Sequence, residues 1–278
     1  MAIAVWTGST SSDWNTAGNW STNAVPGATD TAVFNAGAHN VVAASAITNI
    51  ATLKVLEGFE GKLGSAATPL AFDATNVFIK TTSAEVNLDG TFTDFNAAGI
   101  KQGGDAVFLG TSTAITNLNM FGLAGTITVA GGTITTARIQ ASHGLTFTTT
   151  GVGITTFQQD SGIANFGGSA TATTATLTGG DFRISGAANV TTLDLFGLSV
   201  ANCNGSGTVT TANVFDRESV LSTAQNAGGT GTTFTNVNLH EGTVDEQNGA
   251  GTTVFTNAIA VKGTGLIKVD VGRTVAVN

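Results

Sequence analysis

A three-residue motif recurs along most of this chain and constrains its fold more than any other feature. The motif is an apolar residue or Ala, then Thr, then Asn, Thr or Asp, and eleven copies of it follow one another at intervals of 18 to 27 residues. Its copies start at positions 47, 74, 92, 115, 134, 154, 172, 190, 209, 234 and 255. An internal period of about twenty residues is typical of solenoid proteins, in which each repeat forms one turn of a continuous stack.

Each repeat also carries the pattern of a short β-strand. In Val190-Thr191-Thr192-Leu193-Asp194-Leu195, the first, fourth and sixth residues are apolar, a mostly period-two arrangement that indicates a strand. A second β-prone run such as Phe182-Arg183-Ile184 follows in many repeats, and Gly and Asn separate the runs. The pattern predicts an all-β fold, a single-stranded parallel β-helix of about eleven rungs of ~20 residues each. We expect a right-handed coil, the usual hand of parallel crossovers.

Other repeat architectures fit the sequence less well. The regular Leu and Asn framework of leucine-rich repeats is missing, a propeller blade needs roughly twice this period, and no sustained helical periodicity occurs. In a parallel β-helix, like residues lie above like residues, so we expect Thr and Asn ladders outside and a continuous apolar core inside. Six Phe residues are predicted to stack in this core: Phe72, Phe95, Phe147, Phe157, Phe166 and Phe182.

The first 46 residues differ in character from the repeats. All three tryptophans are here, together with a Val-Pro-Gly turn and a short strand that ends at Phe34. A solenoid must close its terminal rung, and bulky aromatic residues suit that purpose. We therefore predict a cap and anchor segment over residues 1–46 and a β-helix over residues 47–278. The predicted cap and anchor residues are Trp6, Trp14, Trp20, Val25, Pro26 and Phe34.

The same segment resembles a known type of module over about residues 5–34. The residues that carry the resemblance are Trp6-x-Gly8, Asp13-Trp14, Gly18-Asn19-Trp20-Ser21, Val25-Pro26, Asp30 and Val33-Phe34. The pattern resembles the module that opens many β-helical bacterial surface passengers of the autotransporter type, and also the start of β-helical structural proteins of tailed bacteriophages. The resemblance implies an N-terminal β-helix cap rather than an activity. The phage proteins of this kind decorate the capsid shell, often as trimers.

Composition narrows the expected partners. Charged residues make up only 10% of the chain, the net charge is −8, and no basic stripe occurs, so we expect no nucleic-acid partner. No apolar run of about 18 residues occurs, so we expect no membrane partner. The start at Met1 lacks a basic, apolar leader pattern, which favours synthesis in a cytoplasm and the phage branch of the resemblance. The single cysteine, Cys203, is expected to be a core residue.

The sequence offers little catalytic or metal-binding chemistry. His39, His143 and His240 lie far apart without ligand spacing, so no metal site is predicted. Asp216 and Glu241 share one offset, seven residues after their motif starts, and could act as an acid–base pair on a sugar, although a solvated turn explains them better. The chain has no Tyr, and a sugar site is not indicated. We predict no catalytic residues and no cofactor.

We therefore expect a non-enzymatic virion structural protein. The favoured function is capsid decoration, in which the protein, as a homotrimer, binds the major capsid protein on the outside of the capsid and bridges shell subunits. Three alternatives remain open: a phage tail or head fibre subunit, a bacterial surface adhesin or passenger, and a polysaccharide-degrading β-helix enzyme that uses the acidic pair.

Overall fold

The computed structural model describes residues 1–80, 83–98, 105–122, 125–141, 145–223, 230–247, 252–269 and 277. Within these ranges the chain is almost entirely β-structure, and the only helix is a 3-10 turn at Ala17–Asn19. None of the described residues forms a helix long and apolar enough to cross a membrane. The fold is a parallel β-solenoid of about ten turns, so the predicted fold class is confirmed.

The chain divides into two compact units: residues 1–135 with 144–146, and residues 136–143 with 147–278. The strands of the first unit are β1 (Ile3–Val5), β2 (Thr31–Phe34), β3 (Ile50–Val55), β4 (Lys62–Leu63), β5 (Leu70–Ala71), β6 (Ala74–Ile79), β7 (Glu85–Asp89), β8 (Thr91–Ala98), β9 (Asp105–Leu109), β10 (Ala114–Gly122) and β11 (Gly125–Val129). Two strands contain residues of both units, β12 (Thr133–Ala141) and β13 (Leu145–Thr149). The strands of the second unit are β14 (Gly153–Gln159), β15 (Ile163–Phe166), β16 (Thr171–Ile184), β17 (Asn189–Cys203), β18 (Thr208–Val214), β19 (Val220–Ser222), β20 (Thr230–Leu239), β21 (Thr243–Glu246), β22 (Thr252–Phe255), β23 (Ala260–Val261) and β24 (Leu266–Val269).

In the first unit, the motif copies stack directly above one another. Strands β3, β6, β8 and β10 pair in parallel, and the register places Ile50, Ala74, Phe92 and Ile115 in one column. The copies that start at 74, 92 and 115 are therefore aligned as predicted. The copy predicted at Ile47 is wrong by three residues, because Ile50 occupies that column. Counting from Ile50 makes the fourth and sixth residues of the turn apolar, whereas counting from Ile47 would put a threonine at the sixth, inward place.

The N-terminal segment joins the same stack. β1 pairs with β2 in parallel, and β2 pairs in turn with β3. Phe34 at the end of β2 lies opposite Val55, an inward residue of β3. The strands on either side of the boundary predicted at residues 46/47 are thus hydrogen-bonded to each other, and the boundary itself remains a prediction.

In the second unit, the register of the paired strands follows the motif. Strands β14, β16, β17, β18 and β20 pair in parallel, and β22 follows β20. The first residues of the motif form one inward column: Ile154, Ala172, Val190, Val209, Phe234 and Phe255. Within a turn, the first, fourth and sixth residues are buried and the second is exposed, as the pattern predicted.

The core is apolar and continuous within each unit. All six Phe residues predicted to lie there are buried. In the second unit, the ring of Phe166 lies 5.1 Å from that of Phe157 and 4.9 Å from that of Phe182, measured between centroids. Cys203, at the end of β17, is fully buried, and its burial raises the pKa of the thiol. Its prediction as a core residue is confirmed.

Amide side chains form ladders on the outside of the turns, as predicted for stacked asparagines. In the first unit, the side-chain amide of Asn117 donates to Asp94 at 2.8 Å. In the second unit, Asn213 donates to Asp194 at 2.7 Å, and Asn238 donates to Asn213 at 2.8 Å. Each ladder hydrogen bond links equivalent positions on neighbouring turns, so it fixes the register of one turn on the next.

Candidate functional site

The four aromatic residues predicted for the cap form one buried cluster in the first unit. The indole rings of Trp6 and Trp14 pack edge-on against Trp20, with centroids 5.1 and 4.9 Å apart. All three indoles also contact Phe34, each at 5.6 Å between centroids. Because the rings are buried against one another, they close the first turns of the solenoid, and their faces are not free to bind a partner. Their role as an anchor remains a prediction.

A single asparagine organises the loop that carries these rings. The side-chain oxygen of Asn19 accepts hydrogen bonds from the backbone N–H groups of Thr10 and Ser11, at 2.9 and 2.8 Å. Its amide nitrogen donates to the hydroxyl of Ser11 at 2.9 Å and to the carbonyl of Asp13 at 2.8 Å. Asn19 is fully buried, and these four hydrogen bonds use its donors and both acceptor sites. The motif residue is therefore structural.

The turn that follows the cluster is also held by a motif residue. Val25 is half-buried and Pro26 is buried, and the chain then turns into β2. The carboxylate of Asp30 accepts hydrogen bonds from the backbone N–H groups of Ala2 at 2.6 Å and Gly27 at 3.1 Å. The hydrogen bond from Ala2, followed by that from Gly27, lowers the pKa of Asp30. Asn19, Asp30 and the tryptophans, which carry the resemblance, thus make contacts that stabilise the fold.

The acidic pair singled out in the sequence lies at one corner of the second unit. Asp216 lies two residues after Val214, and Glu241 lies two residues after Leu239. Val214 and Leu239 pair on neighbouring turns, and both acidic residues are exposed. The carboxylate of Asp216 accepts a 2.6 Å hydrogen bond from the backbone N–H of Gly197 on the preceding turn. Glu246, nearby in sequence, is buried and receives a hydrogen bond from the hydroxyl of Thr223. These contacts give Asp216 and Glu246 partners within the fold.

The histidines lie in separate environments. His39 is exposed in the first unit, and the imidazole of His240 packs on the ring of Phe215 in the second unit. His143 lies outside the described residues. Among the residues that the structure describes, no group of three or more His, Cys, Asp or Glu side chains could hold a metal ion.

The second unit presents two adjacent columns of polar side chains. The second residue of each motif is exposed, and four threonines on successive turns occupy that column: Thr155, Thr173, Thr191 and Thr210. The third residue of each motif is half-exposed and forms the neighbouring column: Thr156, Thr174, Thr192 and Thr211. Strand spacing of about 4.8 Å sets the distance between successive hydroxyls. The result is a regular, uncharged surface, which we call the threonine face.

A groove of about 820 Å³ lies elsewhere on the second unit. It is formed where β15, β16 and β17 begin or bend, and by the loop between β18 and β19. Its acidic residues are Asp160, Asp181 and Glu218, and its apolar residues are Ile163, Leu198 and Val200. Smaller cavities of about 340 and 310 Å³ lie in the first unit. The groove thus combines a few polar groups with apolar walls, as ligand sites generally do.

The carboxylate of Asp160 is fixed by the neighbouring turns. Arg138 donates to one oxygen at 3.1 Å, and the hydroxyl of Thr178 donates to the other at 2.9 Å. Burial by itself would raise the pKa of Asp160, but hydrogen bonds from Thr178, Arg138 and Gln140 and the charge of Arg138 outweigh it and lower the pKa. Asp160 is therefore ionised at neutral pH and held in one orientation.

Asp181 is fixed in the same manner. Arg183 donates to one carboxylate oxygen through Nε at 2.8 Å and Nη2 at 2.5 Å, while the amide of Asn202 donates to the other at 2.8 Å. Asn202 itself lines the groove. Both groove aspartates are thus paired with an arginine, and both keep oxygen lone pairs for a further donor.

Glycines form much of the groove floor, and a buried glutamine lies behind it. A side chain at Gly180 would place its Cβ 2.5 Å from Nε2 of Gln159. That Nε2 donates to the carbonyls of Gly162 at 2.9 Å and Asp181 at 3.2 Å, both of which belong to groove residues. Gln159 is fully buried, and its Oε1 has no hydrogen-bond partner among the described residues. Because glycines have no side chain, the groove stays open at this point, and Oε1 of Gln159 remains without a hydrogen bond from the described residues.

An aromatic column begins beside the groove. The residues that follow the paired positions on β16, β17, β18 and β20 are Thr178, Phe196, Phe215 and His240. The ring of Phe215 stacks on Phe196 at 4.6 Å and 8°, and on His240 at 4.8 Å and 23°. All three rings are half-exposed. Thr178, at the corresponding position on the preceding turn, lines the groove.

Sequence reasoning missed this column and the groove. Phe196 and Phe215 are not among the six phenylalanines predicted for the core, and the sequence pattern assigned them no place; in the structure both are half-exposed. The signal was present in the period, because Phe196, Phe215 and His240 each follow their motif start by six residues. The groove residues come from four successive turns and share no motif that sequence alone could single out.

Comparison of the chain with protein-family models, with curated proteins and with solved structures finds no match in any of the three.

Proposed function

We propose that this chain is a non-enzymatic structural protein that decorates the head of a tailed bacteriophage and bridges subunits of its shell. The observation that carries the proposal is the threonine face, a regular array of uncharged hydroxyls over successive turns of the second unit. A surface of this kind loses little solvation free energy when it is covered, because neutral hydroxyls are less costly to bury than charges. It suits a permanent contact with an ordered protein lattice.

Two further features support a structural role. Charged residues make up only 10% of the chain, far below the usual quarter. The residues that carry the N-terminal resemblance make folding contacts, with Asn19 and the tryptophans buried. These features agree with the resemblance to β-helical phage proteins, which is limited to about residues 5–34.

The proposed partners are the major capsid protein and two further copies of this chain, which form a homotrimer. Flat solenoid faces can pack around a threefold axis, and closed cyclic symmetry is the common solution for identical subunits. Light scattering coupled to size-exclusion chromatography tests the trimer, which should have three times the chain mass of 27.7 kDa. A species of single-chain mass at micromolar concentration would contradict it.

The copy number of the chain in density-purified particles from its source tests the decoration role. Quantitative mass spectrometry should find hundreds of copies, in simple ratio to the shell subunit. A few copies per particle would instead support a tail or head fibre subunit. Absence from particles would reject the virion proposal and favour a bacterial surface adhesin. The groove of the second unit supports this second candidate, because adhesins bind ligands at exposed sites.

Charged substitutions on the threonine face test which surface is used. The double variant Thr173→Lys, Thr191→Lys adds two exposed charges and should abolish binding to shells without unfolding the chain. The matched control, Ser169→Lys with Ala187→Lys, adds the same charges at exposed positions outside the two columns. Equal loss of binding in both double variants, or full binding by both, would reject the threonine face as the shell contact.

A further inference from the structure

We propose that the groove of the second unit binds a neutral glycan, with its aspartates accepting sugar hydroxyls and Leu198 contacting the apolar side of a sugar ring. This inference stands whether or not the chain decorates a particle, because it concerns a different surface from the threonine face. It rests on the orientation of the polar groups, the exposed apolar residues, and the size and charge of the groove.

The polar groups match what a sugar ring offers. Neighbouring hydroxyls of a sugar are donors, and an ionised carboxylate accepts through two oxygens. Asp160 and Asp181 are held in place by Arg138 and Arg183, so a hydroxyl meets an acceptor that is already oriented. The amide of Asn202 lies beside Asp181 and adds side-chain hydrogen-bonding capacity. Little conformational entropy is lost on binding, because the protein groups are ordered beforehand.

The apolar groups match the other side of the ring. Leu198 is 70% exposed, an unusual exposure for a leucine on a β-strand, and it lines the groove. Ile163 and Val200 also line the groove, and both are half-exposed. Together these aliphatic side chains can cover the C–H groups of a sugar ring, while the aspartates meet its hydroxyls.

The glycines of the groove keep it open. A Cβ at Gly180 would lie 2.5 Å from Nε2 of the buried Gln159 and 2.6 Å from the carbonyl oxygen of Gly162. The same Nε2 donates to the carbonyls of Gly162 and Asp181, so the glutamine holds two neighbouring turns of the groove wall from the inside. The groove is thus a pre-formed cavity whose backbone a ligand can approach closely.

Charge and size select among ligand classes. Three acidic side chains line the groove, and the two arginines beside them are already engaged, so a phosphate, a nucleic acid or an anionic sugar would be repelled. No metal-binding group occurs among the described residues here, and each aspartate already has a cationic partner. A volume of about 820 Å³ suits a ligand of a few sugar units. A neutral oligosaccharide satisfies all three conditions.

The test uses the full-length purified chain without particles. It is applied to an array of immobilised neutral oligosaccharides built from glucose, galactose, mannose and N-acetylglucosamine, with sialylated and sulfated oligosaccharides as comparators. We expect retention on neutral members and not on anionic ones, with the best neutral oligosaccharide then measured by calorimetry. Absence of retention on every neutral member, or preference for the anionic ones, would overturn the proposal.

Two variants locate the binding, and one controls for charge. Asp160→Asn and Leu198→Ser should each raise the Kd by about tenfold, which is the effect of losing one charged hydrogen bond or one apolar contact. Asp194→Asn removes the same charge on the outward ladder of the second unit and should leave the Kd within about twofold. Leu198 is exposed, so its substitution tests the site without a folding defect. Unchanged binding in both groove variants would overturn the assignment of the groove, whatever the particle experiments find.

Discussion

The indole N–H of Trp20 donates a 2.8 Å hydrogen bond to the backbone carbonyl of Trp14, six residues earlier. The bond is buried, and the two rings pack edge-on at 4.9 Å. Together they lock the loop that folds over the first turns of the solenoid. The spacing of the tryptophans in the resemblance module therefore has a physical reason, because a longer or shorter loop would separate the donor from its acceptor.

Replacing Asn19 should destabilise the first unit strongly. Asn19→Ala removes the four hydrogen bonds of a buried side chain and takes the acceptor away from two backbone N–H groups, so we expect a loss of roughly 2–4 kcal/mol in the free energy of unfolding. Urea unfolding followed by tryptophan fluorescence measures it, since all three tryptophans lie in this unit. Asn35→Ala, at an exposed position of the same unit, is the control. Equal stability of the two variants would contradict the structural role of Asn19.

The stability of the N-terminal segment should depend on pH through Asp30. Backbone hydrogen bonds hold the pKa of Asp30 below its ordinary value of 3.8, so its ionised form stabilises the fold. That contribution is complete above the ordinary value and is lost as the pH falls through the lower folded-state pKa. Asp30→Asn should therefore flatten the dependence of stability on pH below about 4. The same slope in wild type and variant would refute this account.

A glycine in the first unit should not tolerate a side chain. Gly90 has a φ of +138°, and a Cβ there would lie 2.0 Å from the carbonyl oxygen of Phe72 on the preceding turn. We expect Gly90→Ala to lower the free energy of unfolding by roughly 1–3 kcal/mol. Gly27→Ala is the matched control, because its Cβ would meet nothing closer than Asp30 at 3.8 Å. Thermal unfolding of both variants compares them directly, and equal midpoints would rule out the backbone collision.

The outward ladder of the second unit should be sensitive to one added charge. Asn213→Asp replaces the amide that donates to Asp194 with a carboxylate, and the two like charges on neighbouring turns should cost about 1 kcal/mol at pH 7. The cost should vanish in the background of Asp194→Asn, where the donor and acceptor are restored in reverse. Stability measured across this double-mutant cycle tests the coupling. Additive effects would show that the ladder contact contributes nothing.

Much of the architecture could be predicted from the period alone. The motif starts at Ala74, Phe92 and Ile115, and at Ile154, Val190 and Val209, coincide with paired positions in the structure. The prediction failed at Ile47, because two registers three residues apart both begin with an isoleucine and only pairing with β6 selects Ile50. The local sequence pattern does not fix the register of a strand where either of two nearby apolar residues could occupy the same inward position.

The sequence by itself determined the fold class, the twenty-residue turn and the inward and outward positions, because each turn repeats one local pattern and pairs only with its neighbours. Tertiary structure alone decided the site. Asp160, Asp181 and Leu198 lie on three successive turns, at different distances from their motif starts. The register between β16 and β17 shifts between Leu177 and Gly179, so counting along the repeat does not align these residues, and only the stacking of the turns brings them to one groove.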